Sequence, residues 1–144
     1  MSDRYFPESW PLPALTEHNR EFFTRGAVVV QRCENCAAVQ HPPLDLCMSC
    51  QGMEFSYVES TGLGTVDSWT TVHHASDRRL ASLVPYNVSL VRLEDHPDVL
   101  VVGNIVNAQP SAVRIGAAVR CTFARVEDPE LGETLMLPQW ELVP

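Results

Sequence analysis

Short runs of β-branched and aromatic residues, separated by turn-forming residues, recur along most of the 144-residue chain. Runs of this kind are typical of strands. The first two lie at 27–32 and 54–59. Five more follow at 65–73, 86–93, 99–106, 118–126 and 134–142. Because no helical pattern separates these last five, they predict a small closed barrel.

Turn-forming residues indicate how the barrel strands connect. Glu94–Asp98 and Asp128–Gly132 predict two hairpin turns, and Arg114–Gly116 predicts a bend into the fourth barrel strand. The connections between strands one and two and between strands three and four are longer. This is the arrangement of the oligonucleotide/oligosaccharide-binding (OB) fold. The predicted fold class is therefore mainly β, with a five-stranded OB-fold barrel at the C-terminal end.

The N-terminal segment has a different pattern. Leu15, Phe22 and Phe23 lie near helical spacing, and Gly26 is a typical helix stop, so a short amphipathic helix is predicted over 14–25. Further aromatic residues precede it. The resulting candidates for docking to a partner protein are Tyr5, Phe6, Trp10, Phe22 and Phe23. The alternative is that the aromatic tail packs on the flank of its own domain.

Two C-x-x-C pairs, Cys33/Cys36 and Cys47/Cys50, are separated by ten residues and follow the first predicted strand. Four thiolates brought together match the tetrahedral preference of Zn²⁺, and a site with four protein ligands has no open position for catalysis. Free thiols, two strained disulfides and a rubredoxin-like iron site are the alternatives. We favour structural zinc over iron, because Ala37 lies where a rubredoxin knuckle usually has glycine.

The strand–knuckle–loop–knuckle–strand order is that of a zinc ribbon. His41 is a further possible ligand, but four cysteines already complete the coordination shell. Three parts are therefore predicted: an N-terminal arm and helix (1–26), the zinc ribbon (27–59) and the OB-fold domain (60–144).

Charge narrows the possible functions. Ten basic residues, all arginine, oppose eighteen acidic residues, for a formal charge of −8. The absence of lysine excludes Schiff-base catalysis and a phosphate-loop lysine. Because the arginines are scattered along the chain, nucleic-acid binding is disfavoured. No basic and apolar leader and no long apolar segment is found, so we expect a cytoplasmic protein without a membrane span.

Few residues in the sequence are suited to catalysis. Cys121 lies in the middle of a predicted strand and is interpreted as a small core side chain. His73 and His74 end the first barrel strand, and we expect no catalytic residue in the chain. The following loop contains Arg78 and Arg79, which are candidates for binding a CoA phosphate, against the alternative of a solvated loop.

Motif order along the chain resembles the acyl-CoA-associated OB-fold family, long catalogued as a domain of unknown function. The resemblance covers residues 15 to 126. The segments that carry it are Gln31–Cys36, His41–Pro43, Cys47–Cys50, Gly62–Val72, Pro85–Leu93 and Ile115–Val119. Two positions differ from the usual pattern, Ala37 in place of glycine and Leu44 in place of arginine, and neither is a metal ligand.

The resemblance implies a partner protein more than an enzyme. Family members are non-catalytic subunits of thiolase-superfamily enzymes, such as acetyltransferases and steroid side-chain aldolases. In these complexes the OB-fold domain helps to form the CoA pantetheine channel, while the ribbon and N-terminal segment contact the catalytic subunit. A hetero-oligomer that takes acyl-CoA as its ligand is therefore expected. A single-stranded nucleic-acid-binding protein and a rubredoxin-like electron carrier are the alternatives.

Overall fold

Two antiparallel sheets contain the strands of the computed structural model, which describes residues 4–144. The first sheet has the order β2-β1-β3 and the second the order β6-β5-β4-β7-β8. The strands are β1 Val29–Cys33, β2 Val39–Gln40, β3 Phe55–Glu59, β4 Leu63–Val72, β5 Tyr86–Leu93, β6 Leu100–Gly103, β7 Ala118–Asp128 and β8 Glu133–Leu142. One α-helix, α1 (Arg20–Thr24), and 3₁₀ turns at Arg78–Leu80 and Pro110–Ala112 complete the described elements. The mainly β fold class is confirmed.

All seven predicted strands are present, and both predicted hairpins join neighbouring antiparallel strands. The short strand β2 was not predicted. It pairs Val39 and Gln40 with β1, and a two-residue strand is too short to show a period. The third barrel strand also ends at Gly103, earlier than predicted, because the chain leaves β5 there and crosses to β8.

The crossing to β8 closes the barrel. Ile105 forms a parallel bridge with Trp140, flanked by backbone hydrogen bonds from Val106 N to Trp140 O (2.8 Å) and from Trp140 N to Asn104 O (2.9 Å). Inside this seam, Asn87 donates to Ile105 O and accepts from Ile105 N. The first and last edges of the sheet thus meet, as the OB fold requires.

The predicted helix over 14–25 is wrong in its first part, because α1 begins only at Arg20. Asn19 explains the late start. Its side chain accepts a hydrogen bond from Thr16 N (2.6 Å) and donates one to Ala14 O (3.0 Å). Such local side-chain bonds offer the backbone an alternative to helix. Gly26 follows the helix at φ +75°, in agreement with the predicted stop.

A single hydrophobic core joins the helix, the ribbon and the barrel. Phe22 and the ribbon residues Val28, Val29 and Val30 are buried together with barrel residues such as Val91. Packing is therefore continuous across the boundaries proposed at 26/27 and 59/60, which remain predictions. Within the described residues, no helix has the length and apolar character needed to cross a membrane.

Candidate metal centre and phosphate-binding loop

The four knuckle cysteines converge at one point beside the ribbon sheet. Their Sγ atoms all lie within 4.8 Å of one another. The closest pairs join the two knuckles: Cys33 Sγ is 3.6 Å from Cys50 Sγ, and Cys36 Sγ is 3.6 Å from Cys47 Sγ. A tetrahedral site with Zn–S bonds of about 2.3 Å requires S···S separations of about 3.8 Å. The cluster therefore fits a four-coordinate metal, as predicted from its spacing.

Matching turns build the two knuckles. Ala37 N donates to Cys33 O and Gln51 N donates to Cys47 O, both at 2.9 Å. Ala37 (φ +64°) and Gln51 (φ +62°) both occupy the left-handed region that usually favours glycine. Because the turn forms without glycine, the missing glycine does not distinguish zinc from iron.

Hydrogen-bond donors surround the sulfur atoms. Asn35 Nδ2 lies 3.4 Å from Cys50 Sγ, and Ser49 N lies 3.4 Å from Cys47 Sγ. The bond from Asn35, together with one from the Gly52 backbone, lowers the pKa of Cys50 to about 6. Donors of this kind favour the thiolate, which is the form that binds metal.

The four sulfur atoms are closely packed, so a larger side chain beside them has little space. A Cβ at Gly52 would lie 3.3 Å from both Cys33 Sγ and Cys50 Sγ. His41 is not part of the four-sulfur group, since its ring packs against Phe22 with centroids 4.8 Å apart. Burial lowers the pKa of His41 to about 4. A site of this composition holds structure and offers no open position for a reacting molecule.

Two glutamines support the second knuckle and were missed by the sequence analysis. Gln31, fully buried in β1, accepts from Leu44 N (2.9 Å) and donates to Leu44 O (2.8 Å). Gln40 donates to Gln31 Oε1 (2.7 Å) and accepts from Met48 N (2.9 Å). The available signal was a polar residue directly after the apolar run Val28–Val30, where it must be buried and therefore needs partners.

The loop between β4 and β5 carries the two candidate phosphate-binding arginines. Asp77 caps the 3₁₀ turn by accepting from Arg79 N, and it also forms an ion pair of 2.7 Å with the Arg79 guanidinium. The Arg79 side chain and backbone donors lower the pKa of Asp77 to about 2. Arg78 is exposed, and its side chain has no hydrogen bond or ion pair with any described residue. The two arginines therefore lie together but in different environments.

The aromatic tail packs on the barrel, which was the alternative to an extended docking arm. Phe6 lies edge-on against Tyr86 of β5 (centroids 5.6 Å apart) and stacks with Trp10 (5.9 Å). Tyr5 N donates to Gln139 Oε1 at 2.6 Å, and the Tyr5 hydroxyl accepts from Asn87 Nδ2 at 3.4 Å. All three tail aromatics keep partial exposure.

Of the two helix aromatics, Phe22 is buried in the chain's own core, so its ring packs against residues of the same chain. Phe23 is half-buried and borders a groove of about 390 Å³ between α1, the ribbon loop and β6. The groove is lined by Asn19, Phe22, Phe23, His41, Pro42, Pro43, Leu100, Val102 and Pro138. Docking of a partner at these aromatics remains a prediction.

Cys121 is the one cysteine outside the metal cluster. It packs against the core, and burial raises its pKa to about 12, so its thiol is unreactive at neutral pH. His73 and His74 are both exposed and lie directly after the end of β4 at Val72. The burial of Cys121 agrees with its interpretation as a small core side chain.

A ribbon with a four-sulfur site, packed against a closed five-stranded OB barrel, defines the chain as a zinc-ribbon and OB-fold protein. Residues 20–55 match the family described as ChsH2, rubredoxin-like zinc ribbon domain, and residues 57–124 match ChsH2, C-terminal OB-fold domain. The chain belongs to the ChsH2 family, and the name DUF35 is used for similar proteins. The resemblance stated from the sequence is confirmed.

Similar proteins include one solved structure and two curated relatives. The structure, "Ltp2-ChsH2(DUF35) aldolase", shares 31% identity and a TM-score of 0.72, covering 91% of this chain and 98% of that chain. A "DUF35 domain-containing scaffold protein" of Methanocaldococcus jannaschii is 28% identical over 89% of this chain and 83% of its own length. A "Probable enoyl-CoA hydratase alpha subunit" of Thermomonospora curvata is 33% identical over 84% of this chain. This chain spans only 37% of that hydratase subunit.

Proposed function

We propose that the chain is a non-catalytic accessory subunit that binds and supports a thiolase-like acyl-CoA enzyme. The observation that carries the proposal is its likeness, along nearly the whole length of both chains, to a chain of the Ltp2-ChsH2(DUF35) aldolase. The scaffold protein of Methanocaldococcus jannaschii supports the same role. A cytoplasmic location, a reducing compartment in which metal-binding thiols persist, is part of the proposal.

The ribbon offers a surface for the partner. Four hydrophobic side chains of its loop and knuckles are exposed, in agreement with the expectation that the ribbon contacts the catalytic subunit. They are Leu44, Leu46, Met48 and Met53, of which Met48 and Met53 are more than two-thirds exposed.

Acyl-CoA is the proposed ligand of the complex. The barrel contributes the loop between β4 and β5, one of the loops with which OB folds bind their ligands. Arg78 and Arg79 on that loop are the two candidates for recognising a CoA phosphate through a guanidinium group. The proposal includes a contribution of the barrel to the channel for the CoA pantetheine arm.

Co-purification tests the subunit role. The tagged chain, captured from its own cells, should bring down a larger acyl-CoA enzyme, while the chain alone shows no thiolase, thioesterase or aldolase activity. Met48→Glu in the ribbon should abolish capture, since it places a charge in the proposed interface. Leu131→Glu, at an exposed hydrophobic residue between β7 and β8, is the matched control. A monomeric, partnerless chain at high concentration would contradict the proposal.

A hydratase subunit is the second candidate, because the relative from Thermomonospora curvata has that name. The reaction that the captured complex catalyses distinguishes the hydratase from the thiolase-like partner. Hydration of an enoyl-CoA would favour the hydratase assignment, whereas cleavage or formation of a carbon–carbon bond in an acyl-CoA would favour the thiolase-like partner.

Zinc is the proposed metal, bound by Cys33, Cys36, Cys47 and Cys50. Elemental analysis of the purified chain should find about one zinc per chain in a colourless protein. A red protein containing iron would instead support the rubredoxin-like electron carrier.

A further inference from the structure

A continuous series of contacts links strand β5 to the arginine loop through the aromatic tail. Tyr86 contacts Phe6, and Phe6 stacks on Trp10. The Arg79 guanidinium lies over the Trp10 ring, with its Cζ 5.0 Å from the ring centroid. Asp77 then holds Arg79 from the other side through the 2.7 Å ion pair.

The tail is itself held in place. Arg4 Nη2 donates to Trp10 O at 2.6 Å, and Trp10 N donates to Pro7 O at 2.9 Å, so the tail folds into a turn beneath the indole. The bond from Tyr5 N to Gln139 attaches the start of this turn to β8. Trp10 is thus presented to the loop from a fixed platform.

The position of Arg79 restricts what else it can do. Its Nε and Nη2 bind the Asp77 carboxylate and one face of the guanidinium lies over Trp10, so a ligand could reach it only through the remaining Nη1. A cation–π contact at an exposed site contributes to the order of both groups, and bidentate pairing fixes the plane of the guanidinium. Arg78, one residue earlier in the same 3₁₀ turn, has neither of these partners among the described residues.

We propose that tail residues 4–13 and loop residues 73–85 form one unit, the tail–loop clasp, in which Arg79 positions the loop and Arg78 contacts the phosphate. The inference rests on the proposed function for its ligand. It divides the roles of two adjacent arginines that the sequence presents as equivalent. It also assigns the tail aromatics to ordering the loop.

Hydrogen exchange of the full chain without ligand tests the clasp. The amides of Leu80, Ala81 and Leu83 are bonded within the loop. Trp10→Ala and Arg79→Gln should speed their exchange about fivefold or more, since each removes a contact that holds the loop. Arg79→Lys, which keeps the cation over Trp10, should restore much of the protection. Phe55→Ala removes a ribbon ring that packs on His18, away from the loop, and is the control that should leave loop exchange unchanged.

Titration with coenzyme A, on the chain alone and with its captured partner, tests the division of roles. Arg78→Gln should leave loop exchange unchanged, raise Kd about tenfold and weaken the salt dependence of binding, because a phosphate contact is lost. Arg79→Gln should raise Kd together with faster loop exchange while the salt dependence persists. In this pattern Arg78 acts on the ligand and Arg79 acts on the loop.

Different results would overturn the clasp and the phosphate assignment. Unchanged loop exchange in both Trp10→Ala and Arg79→Gln overturns the clasp, whatever the ligand. Normal coenzyme A affinity in Arg78→Gln, or no binding by the unsubstituted protein in either form, overturns the phosphate assignment. The co-purification result is independent of both, so failure of the subunit role is recognised separately.

Discussion

Ala37 and Gln51 occupy left-handed backbone positions in the two knuckles, although neither residue is glycine. The left-handed conformation raises the free energy of a residue with a Cβ by about 1–2 kcal/mol. The hydrogen bonds from their N–H groups to Cys33 O and Cys47 O hold the turns in this conformation, and the proposed metal would add to this through the adjacent thiolates. The knuckles therefore store strain that glycine would relieve.

Ala37→Gly should stabilise the metal-bound chain by up to about 1 kcal/mol, because relief of the left-handed strain exceeds the entropy that glycine adds to the unfolded chain. Chemical denaturation with zinc present measures the change. Ala38→Gly, at the next position and without a positive φ, is the control and should destabilise slightly. Equal destabilisation by both substitutions would argue against strain at Ala37.

His41 predicts a pH dependence of stability. Desolvation of its partly buried ring lowers its pKa to about 4 in the folded chain, and the ordinary value is 6.5. Below pH 6.5 the unfolded chain therefore binds a proton that the folded chain does not, so stability falls as pH falls. The loss should reach about 2 kcal/mol by pH 5.

Denaturation of His41→Phe between pH 7 and pH 5 checks this expectation. The substitution keeps a ring against Phe22 and cannot be protonated, so the slope should flatten. His73→Phe, at an exposed histidine, should retain the full slope. An unaltered slope in His41→Phe would assign the acid sensitivity to another group, such as the metal-binding thiolates.

At the scale of the elements, strand positions and hairpins were predictable from local pattern, while closure and helix length were not. The alternation of apolar and polar residues and the position of turn-forming residues involve neighbouring positions, so both can be read directly from the sequence. The parallel bridge between Ile105 and Trp140 depends on contacts between distant residues. The start of α1 depends on where the Asn19 side chain finds its partners. The cysteine spacing predicted the metal cluster, but the separate environments of Arg78 and Arg79 arise only from tertiary packing.

Gly103 in β6 is needed for closure of the barrel. A Cβ there would lie 2.5 Å from Trp140 Cδ1, and Trp140 is fully buried. Gly103→Ala should therefore destabilise the chain by about 1–3 kcal/mol through overpacking. Thermal unfolding measures the loss. Val102→Ala, at the exposed preceding residue, should be close to neutral, and equal effects of the two would refute a role for close packing at the seam.

Over the whole molecule, the ribbon and the barrel share one core. β1 runs from the buried Val29 and Val30 directly to the first ligand, Cys33. Loss of the metal therefore releases a strand that the barrel also packs against. Metal binding and barrel stability should be coupled, since binding to the folded state alone adds to its stability.

Chelation of the metal should lower the unfolding temperature of the entire chain in one transition, with a loss of several kcal/mol. Circular dichroism of the barrel strands and metal release should change together. Cys121→Ala removes a thiol outside the cluster and should keep the metal-dependent shift. A barrel that melts at the same temperature with and without metal would show that the two parts are independent.

The position of Trp140 has a practical consequence for following this molecule in solution. Its indole is fully buried at the barrel seam, and its Nε1 has no hydrogen-bond partner among the described residues. Trp10, in contrast, is partly exposed beneath Arg79. With Trp69 and one of these two replaced by phenylalanine, the fluorescence of the remaining tryptophan should report a single event. A red shift of the Trp140 emission would report opening of the seam, because the buried indole then enters water. Stronger quenching of Trp10 by an added solute would report release of the loop.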